Sequence, residues 1–315
     1  MSAGLGIMGA WLRSDDAIRY GVPVIVALLV IGPRVLRRSL RRWTGAADSA
    51  RRGSPEVAAV VIGALRSRLK RLIRPTFLLV PAPELGFSKL GGDPELPSDV
   101  AWPAGDEGPR TFLAQIDLAE LQPEDVVGWL PKAGRLYAFY DSERHGCADV
   151  VRLLSDSGPP GPAAPTSSPG GRRYAERRVG FALRTSVPSL DWLDLDASEL
   201  GLTDSDYLDL DAMADAPPAD ETQHRIGGYP NEIQPERMWL SCEHLARGLP
   251  EPVWGEQIPP AIQRAAKQWR LLLQIDSDDA LKMNFGDGGR LYIFIRARHA
   301  RAGDFSKTVS LWQTY

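Results

Sequence analysis

Three short blocks occur twice in this chain, in the same order. Ser88-Lys89-Leu90-Gly91-Gly92-Asp93-Pro94 returns as His224-Arg225-Ile226-Gly227-Gly228-Tyr229-Pro230. Phe112-Leu113-Ala114-Gln115-Ile116-Asp117 returns as Leu271-Leu272-Leu273-Gln274-Ile275-Asp276. Gly134-Arg135-Leu136-Tyr137-Ala138-Phe139 returns as Gly289-Arg290-Leu291-Tyr292-Ile293-Phe294. Any one block could arise by chance. The ordered set points to duplication of one unit.

Each block has a physical meaning. Gly-Gly-x-Pro is a turn, since glycine reaches positive φ and proline fixes the exit. Leu-x-Gln-Ile-Asp reads as a strand closed by a polar turn. Gly-Arg-Leu-Tyr-x-Phe opens a strand with large apolar groups on both faces, which places it centrally in a sheet. A further strand follows in each copy, over 150–154 and 308–314. The expected fold class is α+β: an internally duplicated, mostly antiparallel β-sheet domain with a few helices, its two hairpin-based copies paired about a pseudo-twofold axis. An N-terminal apolar helix precedes it. The spacing from glycine to glutamine doubles, from 23 residues (Gly92 to Gln115) to 46 (Gly228 to Gln274), so the second copy carries an insertion, with a helix near 260–269. The boundaries that follow are 1–54 for an apolar anchor and basic linker, 55–75 for an amphipathic basic helix, and 76–157 for the first repeat. Residues 158–222 form a linker and acidic insertion, and 223–315 the second repeat.

Charge is distributed unevenly. Residues 1–75 carry fourteen Arg or Lys against four Asp or Glu, while the whole chain has a net charge of -3. A basic arm is thus joined to an acidic body, and an acidic body is a poor ligand for nucleic acid, whose phosphates need cations. The arm holds a fourteen-residue uncharged run, Tyr20 to Pro33, with Tyr20, Val24, Ile25, Leu28, Leu29 and Ile31. Arg34, Arg37, Arg38, Arg41 and Arg42 follow it. Spanning a bilayer takes about 20 apolar residues, so the run is short, but flanking arginines can snorkel to the headgroups. By the positive-inside rule the arginine block stays cytoplasmic. A membrane-associated protein is expected, single-pass or interfacial, with its globular domain in the cytoplasm and a protein or small-molecule partner there. The helix opened by Pro55 and running to about Arg74 bears an apolar stripe; it packs in a core or, alternatively, touches anionic lipid.

Several blocks resemble the YwqG-like family of bacterial domains of unknown function. The likeness is carried by Gly227-Gly228-Tyr229-Pro230, Leu273-Gln274-Ile275-Asp276, Gly286-Asp287-Gly288-Gly289-Arg290-Leu291-Tyr292-Ile293-Phe294, and Asp304-Phe305-Ser306-Lys307 through Trp312-Gln313. It covers about 77–315. It implies a duplicated antiparallel sheet in an α+β fold and brings no established activity, so no catalytic residue is carried over.

Candidate chemistry is sparse. Asp117 and Asp276, at matching positions, could face one another as an acid–base pair, with Gln115 and Gln274 as binding groups; the alternative is turn-capping. His145, Cys147, Cys242 and His244 form two pairs at i, i+2, which on strands would offer a Cys2His2 zinc site. With only two cysteines there is no disulfide framework. The segment 191–221 has eleven acids and no cation but lacks the glycine and terminal glutamate of a calcium loop, so a solvated helix or loop is expected. No His-Glu-x-x-His, Gly-x-Ser-x-Gly, phosphate loop or dinucleotide fingerprint occurs, and no cofactor is expected. Three readings result: a membrane-tethered binding module, an enzyme (possibly a hydrolase) with a site between the repeats, and a zinc-stabilised structural domain.

Overall fold

The computed structural model describes residues 55–82, 86–97, 100–105, 108–121, 127–141, 148–153, 173–193, 195, 200, 202–215, 222–234, 236–253 and 256–315. Tyr20 to Pro33, the arginines after it, His145 and Cys147 lie outside these residues. Contacts divide the chain into two compact units, Met1–Ile73 with Val187–Ala214, and Arg74–Ser186 with Asp215–Tyr315.

In the smaller unit, helix α1 (Pro55–Lys70) begins with proline, whose missing N–H costs nothing in a first turn. Val61, Leu65 and Leu69 fall four apart on one face and are buried against Leu190, Leu195 and Leu210. The helix stops short of the expected Arg74 because Pro75 disfavours helical geometry in the residue before it; Arg74 instead opens a strand. Helix α2 (Asp204–Asp211) starts in a reciprocal cap. Thr203 donates its backbone N–H and its hydroxyl to Asp206 at 2.8 and 2.6 Å, and the Asp206 N–H returns to the hydroxyl at 3.3 Å. Part of the acidic segment is therefore helix. Arg66 of α1 meets Asp209 of α2 at 3.1 Å.

In the larger unit the strands are β1 (Arg74–Pro81), β2 (Lys89–Leu90), the short pair β3 (Ala104–Gly105) and β4 (Gly108–Pro109), β5 (Thr111–Asp117), β6 (Arg135–Tyr140), β7 (Ala148–Leu153), β8 (Arg177–Ser186), β9 (Arg225–Gly227), β10 (Trp269–Asp276), β11 (Arg290–Arg296) and β12 (Thr308–Gln313). Helices α3 (Met238–Leu245) and α4 (Pro260–Ala266) come between β9 and β10, and α5 (Ala297–Ala302) after β11. Ten strands form one sheet in the order β12-β11-β10-β9-β1-β8-β2-β5-β6-β7, every ladder antiparallel. The fold is sheet-dominated α+β.

The sheet reads alike from both ends. Moving outward from its central pair, β8 is followed by β2, β5, β6 and β7, and β1 by β9, β10, β11 and β12. A bulge interrupts β5 between Phe112 and Ala114, and β10 between Leu271 and Leu273. The Leu79 N–H donates to the His224 carbonyl at 2.9 Å, and the Val179 N–H to the Ser88 carbonyl at 3.1 Å. The centre itself falls in a stretch that sequence alone assigns to linker. Strand β8 lies within 158–222 and pairs with the whole length of β1, Arg74 with Ser186 through Pro81 with Val179. Val179 and Phe181 alternate inward, but glycine-rich and charged flanks hide that period.

Strands β6 and β11 are next to the edge, not central as their two apolar faces suggest. Both faces are buried because the sheet curls on itself, bringing β7 against β12. Leu136, Ala138, Ile116, Leu273, Leu291 and Ile293 share the inner core. On the other face Tyr137 and Phe139 pack with Leu96, Phe112 and Trp102, and α3 packs on β10 and β12. Each large apolar side chain so buried contributes about 1.5–3 kcal/mol. The core is dense. A void lined by Ala114, Ile116, Ala138 and Ile226 measures about 10 Å³, room for one water and no ligand.

Candidate functional site

The repeated blocks converge on the Gly-Gly-x-Pro turns. Both glycines of each turn have positive φ. At Gly228 a side chain is excluded twice over: φ is +72°, and a Cβ would sit 2.4 Å from the Ser186 hydroxyl. Each turn is held by a glutamine. The Gln115 amide accepts the Glu95 N–H at 2.8 Å and donates to the Phe87 carbonyl at 2.7 Å. The Gln274 amide accepts the Asn231 N–H at 2.9 Å and donates to the Gln223 carbonyl at 3.2 Å. A tyrosine closes each turn from the next strand. Tyr137 donates to the Glu95 carbonyl at 2.9 Å, and Tyr292 to the Asn231 carbonyl at 2.7 Å.

The two aspartates end β5 and β10, five strand positions apart in the sheet. Their neighbours Ile116 and Ile275 face the shared core; by strand alternation the aspartates face away from it. They are not brought together. Asp117 caps a turn, accepting the Ala119 N–H at 2.9 Å, and lies 3.8 Å from Arg135. Asp276 is buried, accepts the Gln223 N–H and the Gln274 amide, each at 2.8 Å, and pairs with Arg290 at 3.2 Å. With its oxygens taken up in this way, Asp276 serves as a fixed counter-ion. The contacts of each aspartate are with its own half of the sheet and give a shared acid–base pair no support.

The second half adds charge around its turn. The Asp276 N–H donates to His224 Nδ1 at 3.2 Å, so the ring proton sits on Nε2 and points at Asp278, 3.2 Å away. Ser88 takes the corresponding role in the first half, its hydroxyl accepting the Asp117 N–H at 2.9 Å. The His224 hydrogen bond, against burial and with help from Arg177, holds Asp278 well below the usual carboxylate range. Burial lowers Arg225 to about 10; Asp276 opposes that shift and Arg290 adds to it.

The zinc arrangement changes at its described half. Cys242 and His244 lie on helix α3, not on a strand, so two residues apart means roughly 200° of rotation. Cys242 is fully buried, and burial pushes its thiol up. The His244 ring is 2.6 Å from the Pro250 carbonyl through Nδ1. Among the described residues no three His, Cys, Asp or Glu side chains are placed to hold a metal ion.

Sequence reasoning missed Tyr137 and Tyr292 as clamps, although both stand in the repeated blocks. It missed Glu243 altogether. That carboxylate, fully buried on α3, accepts from Trp269 at 3.0 Å, from Arg296 at 2.6 Å and from Arg247 at 2.6 Å. A lone glutamate on a short helix carries no sequence signal.

A curled antiparallel sheet with its repeated polar groups turned to holding its own loops defines a sheet-dominated α+β domain. The family described as Domain of unknown function (DUF1963) matches residues 88–314, and the chain belongs to that family. No curated protein matches it.

Proposed function

We propose that this domain is a binding module, built by internal duplication and held at a membrane by its N-terminal segment. One observation carries the module reading: Gln115, Gln274 and Asp276, the polar groups best suited to chemistry in the repeated blocks, are occupied by the turns and ion pair they stabilise. A catalytic base needs a free lone pair within reach of a substrate proton. Duplication is supported by the ordered blocks, the matched bulges and the paired Gln and Tyr clamps. The same blocks support placement among the YwqG-like domains.

The tether rests on Tyr20 to Pro33 and the arginines behind it, with the domain on the cytoplasmic side. Among the described residues no helix is long and apolar enough to cross a membrane. Carbonate extraction of membranes tests the tether: retention is expected, and full release removes a spanning helix.

Asp117→Asn tests the module reading against an enzyme. Asp117 is partly exposed and its loss leaves the core intact. Complementation of a gene deletion in the native host is expected to be unchanged. Lost complementation with an unchanged unfolding midpoint would place chemistry at Asp117 and overturn the reading.

A further inference from the structure

Arg74 and Arg270 lie near Tyr229, and Arg301 near Arg270, at one end of the second half; among the described residues none of the three is paired with a carboxylate. Their placement is built. The Ser186 hydroxyl accepts the Tyr229 N–H at 3.0 Å and donates to the Arg74 carbonyl at 3.3 Å, tying the start of β1 to the chain beyond β9. That tie seats the Arg74 guanidinium 4.2 Å over the Tyr229 ring. Its Nη1 is buried and has no hydrogen-bond partner among the described residues. Arg270 is oriented by the Lys267 and Trp269 carbonyls, at 2.7 and 2.8 Å from its Nη1. Burial and then the charge of Arg74, opposed by Tyr229 and joined by the charge of Arg301, together lower the Arg270 pKa to about 10, so Arg270 is repelled by both of the other cations.

The fold does not require this cluster. The sheet positions that correspond to Arg74, Arg270 and Tyr229 in the first half hold Tyr174, Thr111 and Asp93. There the nearby cation, Arg173, is paired with Asp93. One half neutralises its charge internally; the other keeps three positive charges without a described anion, at a cost in repulsion that a bound anion would remove.

We propose that Arg74, Arg270 and Arg301 form a binding site for a phosphate group. Three guanidinium groups exceed what one carboxylate can neutralise. A phosphate carries close to two charges and three strong acceptor oxygens, and guanidinium donors match its geometry. Arg301 is exposed and Arg270 half-buried, which leaves the site a route to solvent. The assignment rests on the binding-module reading and names its ligand class; if it fails, the module reading stands or falls separately on the Asp117→Asn complementation.

The test is calorimetric titration of the full-length protein with inorganic phosphate at low chloride. Saturable binding is expected, weakened about tenfold or more in Arg301→Gln and in Arg270→Gln. Arg301→Gln is the cleaner variant because its side chain is exposed, and an unchanged unfolding midpoint checks its fold. No saturation with phosphate, or equal affinity in wild type and both variants, overturns the proposal. Two further probes separate the sources of the phosphate. Tighter binding of glycerol 3-phosphate than of inorganic phosphate marks a free monoester. Retention on phosphatidic acid vesicles that Arg301→Gln reduces, relative to phosphatidylcholine vesicles, marks a lipid headgroup.

Discussion

Glu243 and Trp269 meet in the interior, the carboxylate accepting the indole N–H at 3.0 Å although Glu243 has no exposed surface. The contact is tolerable only because Arg296 and Arg247 also donate to the same carboxylate, each at 2.6 Å. Helix α3 is thereby fastened to β10 and β11 by charge as well as by packing.

Removing that charge is expected to cost stability. Glu243→Gln leaves the half-buried Arg296 without its counter-ion, which costs about 3 kcal/mol in comparable buried pairs. Burial alone would raise the Glu243 pKa, but the hydrogen bonds from Arg247, Arg296 and Trp269 hold it below its ordinary value. A carboxylate depressed in the fold contributes its stability above the unfolded value and loses it as pH falls through the folded value. Urea unfolding across pH 3–7 should therefore show a shallower acid loss, from about pH 4.5 downward, in the variant than in wild type.

The two glutamine clamps make parallel predictions. In Gln274→Glu and Gln115→Glu, an oxygen replaces the donor that faces a backbone carbonyl. Gln115→Glu loses one hydrogen bond and Gln274→Glu two, the second to Asp276, and each buries an added charge, so destabilisation of about 2 kcal/mol or more is expected in both, read from denaturant midpoints. If only one variant were destabilised, the clamps would not be equivalent.

Asp276→Asn and Asp117→Asn should separate. The first breaks a buried ion pair with Arg290 and costs about 3 kcal/mol. The second weakens a turn cap and a long ion-pair contact, and costs about 1 kcal/mol or less. Thermal unfolding of the two single variants measures the difference.

Gly228→Ala drives a methyl group against Ser186 and Thr76 at positive φ, whereas Gly248→Ala, also at positive φ, meets open space. A loss well above about 1 kcal/mol is expected at 228, and about 1 kcal/mol at 248. The same substitution at Gly228 should also weaken phosphate binding, since it displaces the Ser186 hydroxyl that seats Arg74.

In the smaller unit, Leu65→Ala removes a fully buried side chain and is expected to cost about 2–5 kcal/mol locally. Arg66→Ala removes an exposed ion pair and is expected to cost under about 1 kcal/mol. Hydrogen exchange of α1 reads both. If Leu65→Ala left exchange unchanged, the apolar stripe would not be packed as described.

Much of the larger unit is legible because its information is local. A strand ending in Gln-x-Asp and a strand with Tyr and Phe on one face are readable from neighbours two residues apart, and their repetition makes the reading secure. The helix from Pro55 is readable for the same reason. Strand β8 is not. Its partners, β1 and β2, lie about a hundred residues away in sequence, and its own pattern is diluted by Gly180 and by Arg177, Arg178 and Arg184.

By itself, the sequence determined the strands of the repeated blocks, the order of those blocks and the residues that they share. Tertiary structure decided what those residues do. Asp117 and Asp276 look like a pair because they match, but five strand steps and the alternation of a strand keep them apart. Glu243 and Trp269, or Arg74 and Tyr229, look unrelated in sequence, yet α3 packed on β10 and β1 paired beside β9 bring them together. Burial and charge proximity depend on distance in space, and only the folded chain sets that distance.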